Sequence, residues 1–185
     1  MAGALLLLAG TVNIIFNTIS EGIYPGYNLG TNALSDMGAI GSQTYLLWNT
    51  QLMVTGILSL MGVILFLRSS VLPIPSLRTA WILYVVPPLG EIVVSLFPEN
   101  SILALHAIGA FMVFIFGGLG SVYTYTFTKS PFRYLAVLLG VVSLLAMALF
   151  AVPSVVGFGI AERLVVYPIN IWTISFAGYL MSTGQ

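Results

Sequence analysis

Six separate stretches of this chain are each long and apolar enough to cross a lipid bilayer, and together they leave little sequence for anything else. They run roughly over residues 2–20, 45–67, 79–97, 102–127, 134–152 and 164–181. A helix needs about 20 mostly apolar residues to span the hydrocarbon core. In lipid only helices and closed barrels satisfy every backbone N–H and C=O internally. The pattern predicts an all-α polytopic membrane protein, a six-transmembrane-helix bundle whose sequence neighbours pack as antiparallel hairpins. The connections after the first are short and rich in turn formers: RSSVLPIPSLR, PENS, TKSPFR and PSVVGFGIAER. No linker, tail or change of composition marks a boundary, so residues 1–185 are expected to form a single transmembrane domain.

Composition excludes several functions. Charged residues make up 5% of the chain, against roughly a quarter in soluble domains. The formal net charge is zero and no basic patch is present, which removes the electrostatic basis for a nucleic-acid partner. Without cysteine there is no disulfide, thiolate nucleophile or Cys-ligated metal centre. The first span lacks a basic leader and a small-residue cleavage site, so it is expected to be retained.

Lys/Arg bias sets the orientation of such bundles. Arg68, Arg78, Lys129 and Arg133 fall in the second and fourth loops, whereas Arg163 stands alone on the opposite face. Both termini are therefore expected in the cytoplasm of a cell bearing the protein in its plasma membrane. The Glu21–Gln43 loop, Pro98-Glu99-Asn100 and Glu162-Arg163 then face outward, carrying four of the five acids; only Glu91 lies well inside a span.

The segment EGIYPGYNLGTNALSDMGAIGSQ, residues 21–43, is the only long one that could not lie in lipid. Its Pro, Gly, Asn, Ser and Asp content favours tight turns and side-chain-to-backbone hydrogen bonds. Thr31–Met37 reads as a short helix capped by Thr31 and stopped at Gly38.

An ionisable group inside a span is costly enough to be read as functional by default. Glu91 lies six residues before Phe97 and His106 five after Ser101, so both sit about 8–9 Å below the outer helix ends at ~1.5 Å per residue. They are expected to face one cavity, within direct or single-water contact. Asn13, Asn17 and Glu21 recur every four residues, which is one helix face. Asn49, Gln51, Thr55 and Asn170 add polar groups at similar depth. Arg163, the lone outer cation, is expected to bridge to Asp36, Glu91 or Glu99. Pro87-Pro88 is expected to bend the third helix beside Glu91, and Gly117, Gly118 and Gly120 to thin one side of the fourth.

Three segments, YPGYNLGTNALSDMGA, FPENSILALHAIGA and ERLVVYPINIW, together resemble the DUF998 family of bacterial and archaeal six-helix membrane proteins. The resemblance covers essentially the whole chain and implies the six-span fold without a settled activity. It also marks Tyr24, Pro25, Asn32, Ser35, Asp36, Gly38, Pro98, Glu99, His106, Glu162 and Arg163 as signature positions.

Three functions compete on this sequence. The first is an outward polar pocket that binds or processes a lipid headgroup or small polar molecule. In that reading Glu91, His106 and Asp36 are the acid/base candidates, and Tyr24, Asn32, Ser35, Glu99, Glu162, Arg163, Asn17 and Asn49 contact the ligand. The second is an accessory subunit packed against other membrane subunits, and the third a small proton-coupled transporter. Membrane lipids are the expected partners. No nucleophile elbow, HExxH or dense Arg cluster appears, and no metal or cofactor is expected.

Overall fold

The computed structural model describes residues 1–69 and 71–184. Among them the elements in chain order are α1 (Ala2–Ile23), a short 3-10 helix (Ser35–Gly38), α2 (Tyr45–Ser69), α3 (Leu77–Leu96), α4 (Leu103–Tyr123), α5 (Phe132–Ala146), α6 (Pro153–Val156) and α7 (Phe158–Ser182). Further 3-10 turns extend the fourth and fifth spans to Thr126 and Ala151. Six helical segments are long and apolar enough to cross a membrane.

The spanning helices pack in a closed ring: α1 on α2, α2 on α3, α3 on α4, α4 on α5, α5 on α7, and α7 back on α1. Small residues permit this closeness where lipid offers no hydrophobic drive. A methyl group on Gly90 would stand 2.6 Å from the Gly109 carbonyl oxygen, and one on Gly140 equally near that of Gly118. Gly3 and Gly10 bring α1 onto α7 in the same way. The third helix continues unbroken through Pro87 and Pro88.

The two ends of the ring are built differently. At the end that holds both termini, an aromatic cluster of Phe66, Tyr84, Phe127, Trp172 and Phe176 fills the interior. Tyr84 stacks on Trp172 with ring centroids 5.8 Å apart. Its hydroxyl reaches the Gly120 carbonyl at 3.1 Å and Thr124 Oγ1 at 2.9 Å, so the buried phenol is satisfied. The opposite end is closed by the 24–44 loop.

That loop is held by its own amide side chains. Asn28 Oδ1 accepts from the Gly30 and Thr31 amides, and Asn32 Oδ1 from the Asn28 amide. Asp36 Oδ2 accepts from Asn32 Nδ2 at 2.8 Å and the Ala33 amide at 3.1 Å. These are local bonds of the kind that compete with helix. They explain why the helix expected over Thr31–Met37 is reduced to a 3-10 turn at Ser35–Gly38, with Leu34 rather than Thr31 as its N-cap. The stop at Gly38 is as expected, and Gly38 lies flat against the Trp48 ring.

The loop also rests on the start of α7. Gly157 adopts φ +79°, and a side chain there would meet the Gly30 carbonyl; Gly159 lies equally close to the Asn32 and Leu29 carbonyls. This contact requires α7 to begin at Phe158, not near residue 164. Glu162 and Arg163, expected in a turn, are consequently inside the helix.

Candidate functional site

Adjacent positions on a helix diverge by about 100°, and Glu162 and Arg163 accordingly leave α7 on different faces. Arg163 turns toward α1. Its Nη2 donates to Glu21 Oε1 at 2.7 Å and to Tyr27 Oη at 2.6 Å, and its Nη1 donates to the carbonyls of Leu29, Asn32 and Gly159. Tyr27 passes its proton to the Ala33 carbonyl at 2.8 Å, and Tyr167 donates to Glu21 Oε1 at 3.3 Å. The expected bridge to Asp36, Glu91 or Glu99 is therefore corrected: among the described residues the one salt bridge is Arg163–Glu21. The packing of α7 on α1 decides it, because it presents Glu21 to the guanidinium, while Asp36 is taken up by Asn32 and the Ala33 amide and Glu99 by Ser35. The planar fork matches this set of acceptors in a way a lysine cannot.

Glu162 turns inward, where its carboxylate accepts from the Leu34 amide at the head of the 3-10 turn. Ser35 Oγ donates to Glu99 at 2.8 Å. Burial, followed by the neighbouring Asp36 carboxylate, pushes Glu99 above the ordinary carboxylate range. Asn100 clasps the loop with two bonds to the Ile40 backbone, donated by the Ile40 amide at 2.8 Å and to its carbonyl at 3.1 Å. Pro98-Glu99-Asn100 is thus a latch between the third and fourth spans and the loop.

Beneath the loop lies a cavity of about 60 Å³. Its wall includes Asn13, Asn17, Ser35, Glu91, His106 and Glu162. On the α1 side lies a buried amide network, in which Gln51 Oε1 stays without a partner among the described residues. Asn13 Oδ1 accepts from Asn17 and Asn170, each at 2.8 Å, and Asn17 Oδ1 accepts from Trp48 Nε1 at 2.9 Å. On the opposite wall His106 is 8% exposed, and its Nδ1 lies 2.9 Å from the Phe97 carbonyl. A carbonyl only accepts, so Nδ1 carries the proton, and in the neutral imidazole Nε2 then holds a lone pair. No hydrogen bond from the described residues reaches Nε2. Among the described residues Glu91 makes no ion pair, and its Oε2 is buried without a hydrogen-bond partner. Buried polar atoms in native proteins are nearly always bonded.

Glu91 also lines a second cavity of about 50 Å³, toward the aromatic plug. On the other side, Ser35, His106 and Glu162 are shared with a groove of about 550 Å³ between α4 and the residues preceding α7. Glu99 completes its polar end, while Leu103, Phe111 and Phe158 on its flanks are 65%, 52% and 46% exposed.

Of the residues singled out from sequence, Asn17, Ser35, Glu91, His106 and Glu162 come together at the cavity, with Glu99 at the groove. Glu91 and His106 share a cavity but form no direct bond. Tyr24, Asn32, Asp36, Asn49 and Arg163 build the loop instead. Tyr24 packs edge-on to Tyr27, and Asn49 Nδ2 donates to the Gly38 and Tyr45 carbonyls. Sequence reasoning missed the loop-holding roles of Glu21, Tyr27 and Asn100 and the part of Trp48 in the amide network. The Tyr27 and Asn100 positions stood inside conspicuous polar segments, but Asn100 and, apart from Arg163, Tyr27 bond to backbone groups that no residue type announces.

A ring of six apolar helices, with buried polar groups gathered at one end under a folded loop, defines a polytopic integral membrane protein. The chain belongs to the DUF998 family, described as proteins of unknown function, whose model matches residues 2–179. No curated protein and no solved structure matches it.

Proposed function

We propose that this protein binds a lipid headgroup or a small polar molecule in the cavity beneath the 24–44 loop. In this reading the loop faces outward from the plasma membrane and both termini are cytoplasmic, as the Lys/Arg distribution favours. The observation that carries it is Glu91 Oε2, buried without a hydrogen-bond partner among the described residues in a cavity wall that it shares with His106. An orphaned buried polar atom costs about 1–3 kcal/mol, a cost that a ligand or ordered water offsets. The adjoining groove, polar at one end and apolar along exposed flanks, suits a headgroup entering sideways with its chains left in lipid. If the bound molecule is processed, His106 and Glu91 are the groups placed to accept and return a proton.

Transport across the membrane is less favoured. The aromatic cluster around Tyr84 and Trp172 fills the interior below the cavities, and transport would require it to part. The test is mass spectrometry of molecules that copurify with the protein, wild type against Glu91→Gln. A lipid or polar metabolite retained by the wild type and lost from an equally stable variant is expected. Identical retention, or nothing bound to either, overturns the proposal.

A further inference from the structure

Which headgroup the cavity takes is decided by the chemistry of its wall. The acids near it are Glu91, Glu162 and, at the groove, Glu99 with Asp36 beside it. The only cation at this end, Arg163, is turned away and held by Glu21, Tyr27 and three carbonyls. An anion in the cavity would therefore meet carboxylates and no positive charge.

The open valences point the same way. His106 Nε2 is an acceptor, because Nδ1 has the proton. Glu91 is an acceptor when ionised, and its Oε2 is buried with no partner among the described residues. Ser35 gives its hydroxyl proton to Glu99, which leaves the oxygen lone pairs of Ser35 at the wall. Asn17 and Asn170 each already donate to Asn13 Oδ1, and the Trp48 indole N–H to Asn17 Oδ1.

Resting on the headgroup reading above, we infer that the ligand is a primary ammonium group, R–NH₃⁺. Glu91 is its counter-ion, and His106 Nε2 and the Ser35 hydroxyl oxygen accept its other protons. An ammonium carries three donors and no acceptor, which complements this wall. A quaternary ammonium has no N–H to give, and recognition of it relies on an aromatic cage; the acceptor atoms would stay unbonded. The cavity of about 60 Å³ corresponds to a few water volumes, since one water occupies about 10–15 Å³ on this measure. An aminoethyl group has about that bulk. The source is either an amine-headed lipid entering from the groove or a free amine entering past the loop.

The protein is reconstituted in nanodiscs with equal amounts of phosphatidylethanolamine, phosphatidylcholine and phosphatidylglycerol, released, and its bound lipid measured by native mass spectrometry. A parallel arm follows thermal stability in a mild detergent with added ethanolamine. The expected result is selective retention of phosphatidylethanolamine by about tenfold over the other two, as loss of one charge-assisted bond in the wrong ligand implies. Stabilisation by free ethanolamine without lipid selectivity also supports the inference and assigns the soluble source. Glu91→Gln should abolish whichever selectivity appears. Should that variant not fold, His106→Asn serves, since its amide can still donate to the Phe97 carbonyl while Nε2 is gone. Preferred retention of phosphatidylglycerol or phosphatidylcholine, or equal retention of all three with no response to ethanolamine, overturns the ammonium assignment while leaving headgroup binding standing. Selectivity that survives both variants overturns the assignment to this cavity. No bound lipid and no response to ethanolamine overturns the assignment together with the function on which it rests.

Discussion

The guanidinium of Arg163 and the carboxylate of Glu21 meet at 2.7 Å with side chains only 11% and 16% exposed. They join the first and last spans of the ring at the end where the loop closes it. The same guanidinium carries Tyr27 and the carbonyls of Leu29 and Asn32. One side chain thereby ties two helices and a loop.

Arg163→Ala is expected to destabilise the protein by up to about 3–5 kcal/mol, because it leaves the partly buried Glu21 without its counter-charge and frees three carbonyls. Arg163→Lys should recover little, since an ammonium cannot serve five acceptors spread over a plane. Thermal unfolding in detergent reads both. Wild-type stability in Arg163→Ala would show that the bridge is idle.

Gly159→Ala is expected to loosen the loop without unfolding the helices. A Cβ at this position would collide with the Leu29 and Asn32 carbonyls, which are backbone and cannot swing aside, and overpacking of this kind costs about 1–3 kcal/mol. Hydrogen exchange should quicken over residues 28–36 and stay unchanged in α2 and α3.

Glu99 predicts a pH dependence. Its folded-state pKa lies above the ordinary value of 4.5, so above that value the folded protein holds this proton more tightly than the unfolded chain. The stability it contributes is present below the unfolded value and is lost as pH rises through the raised one. Glu99→Gln, neutral at every pH, should remove that part of the slope. Melting temperatures of wild type and variant compared over about pH 4–8 test this; parallel curves would mean that Glu99 titrates as if in water.

A single cysteine at Asn28, in a chain that has none, should react with a membrane-impermeant maleimide in intact cells. Reaction only after the cytoplasmic face is opened would invert the topology and move the cavity to the inner leaflet.

Much of this architecture is legible in the residues alone. Runs of some twenty apolar side chains demand helices wherever water is missing, and the Asn13–Asn17 spacing already sets both amides on one face; their side chains do bond at 2.8 Å. The depth of Glu91 and His106 follows from counting residues along two consecutive helices, and they do share a cavity. Tertiary structure alone decided the rest. Arg163 had several acids within plausible reach, and the choice of Glu21 came from α7 lying against α1, a pairing of the first span with the last that no local pattern encodes. The start of α7 at Phe158 came from the loop backbone seated on Gly157 and Gly159. The lone pair on His106 Nε2 depends on where one backbone carbonyl, that of Phe97, happens to point. Composition and periodicity are sums over neighbours in the chain, whereas a side chain's partner and its unpaired atoms depend on distances between segments far apart in sequence, which exist only once the ring has closed.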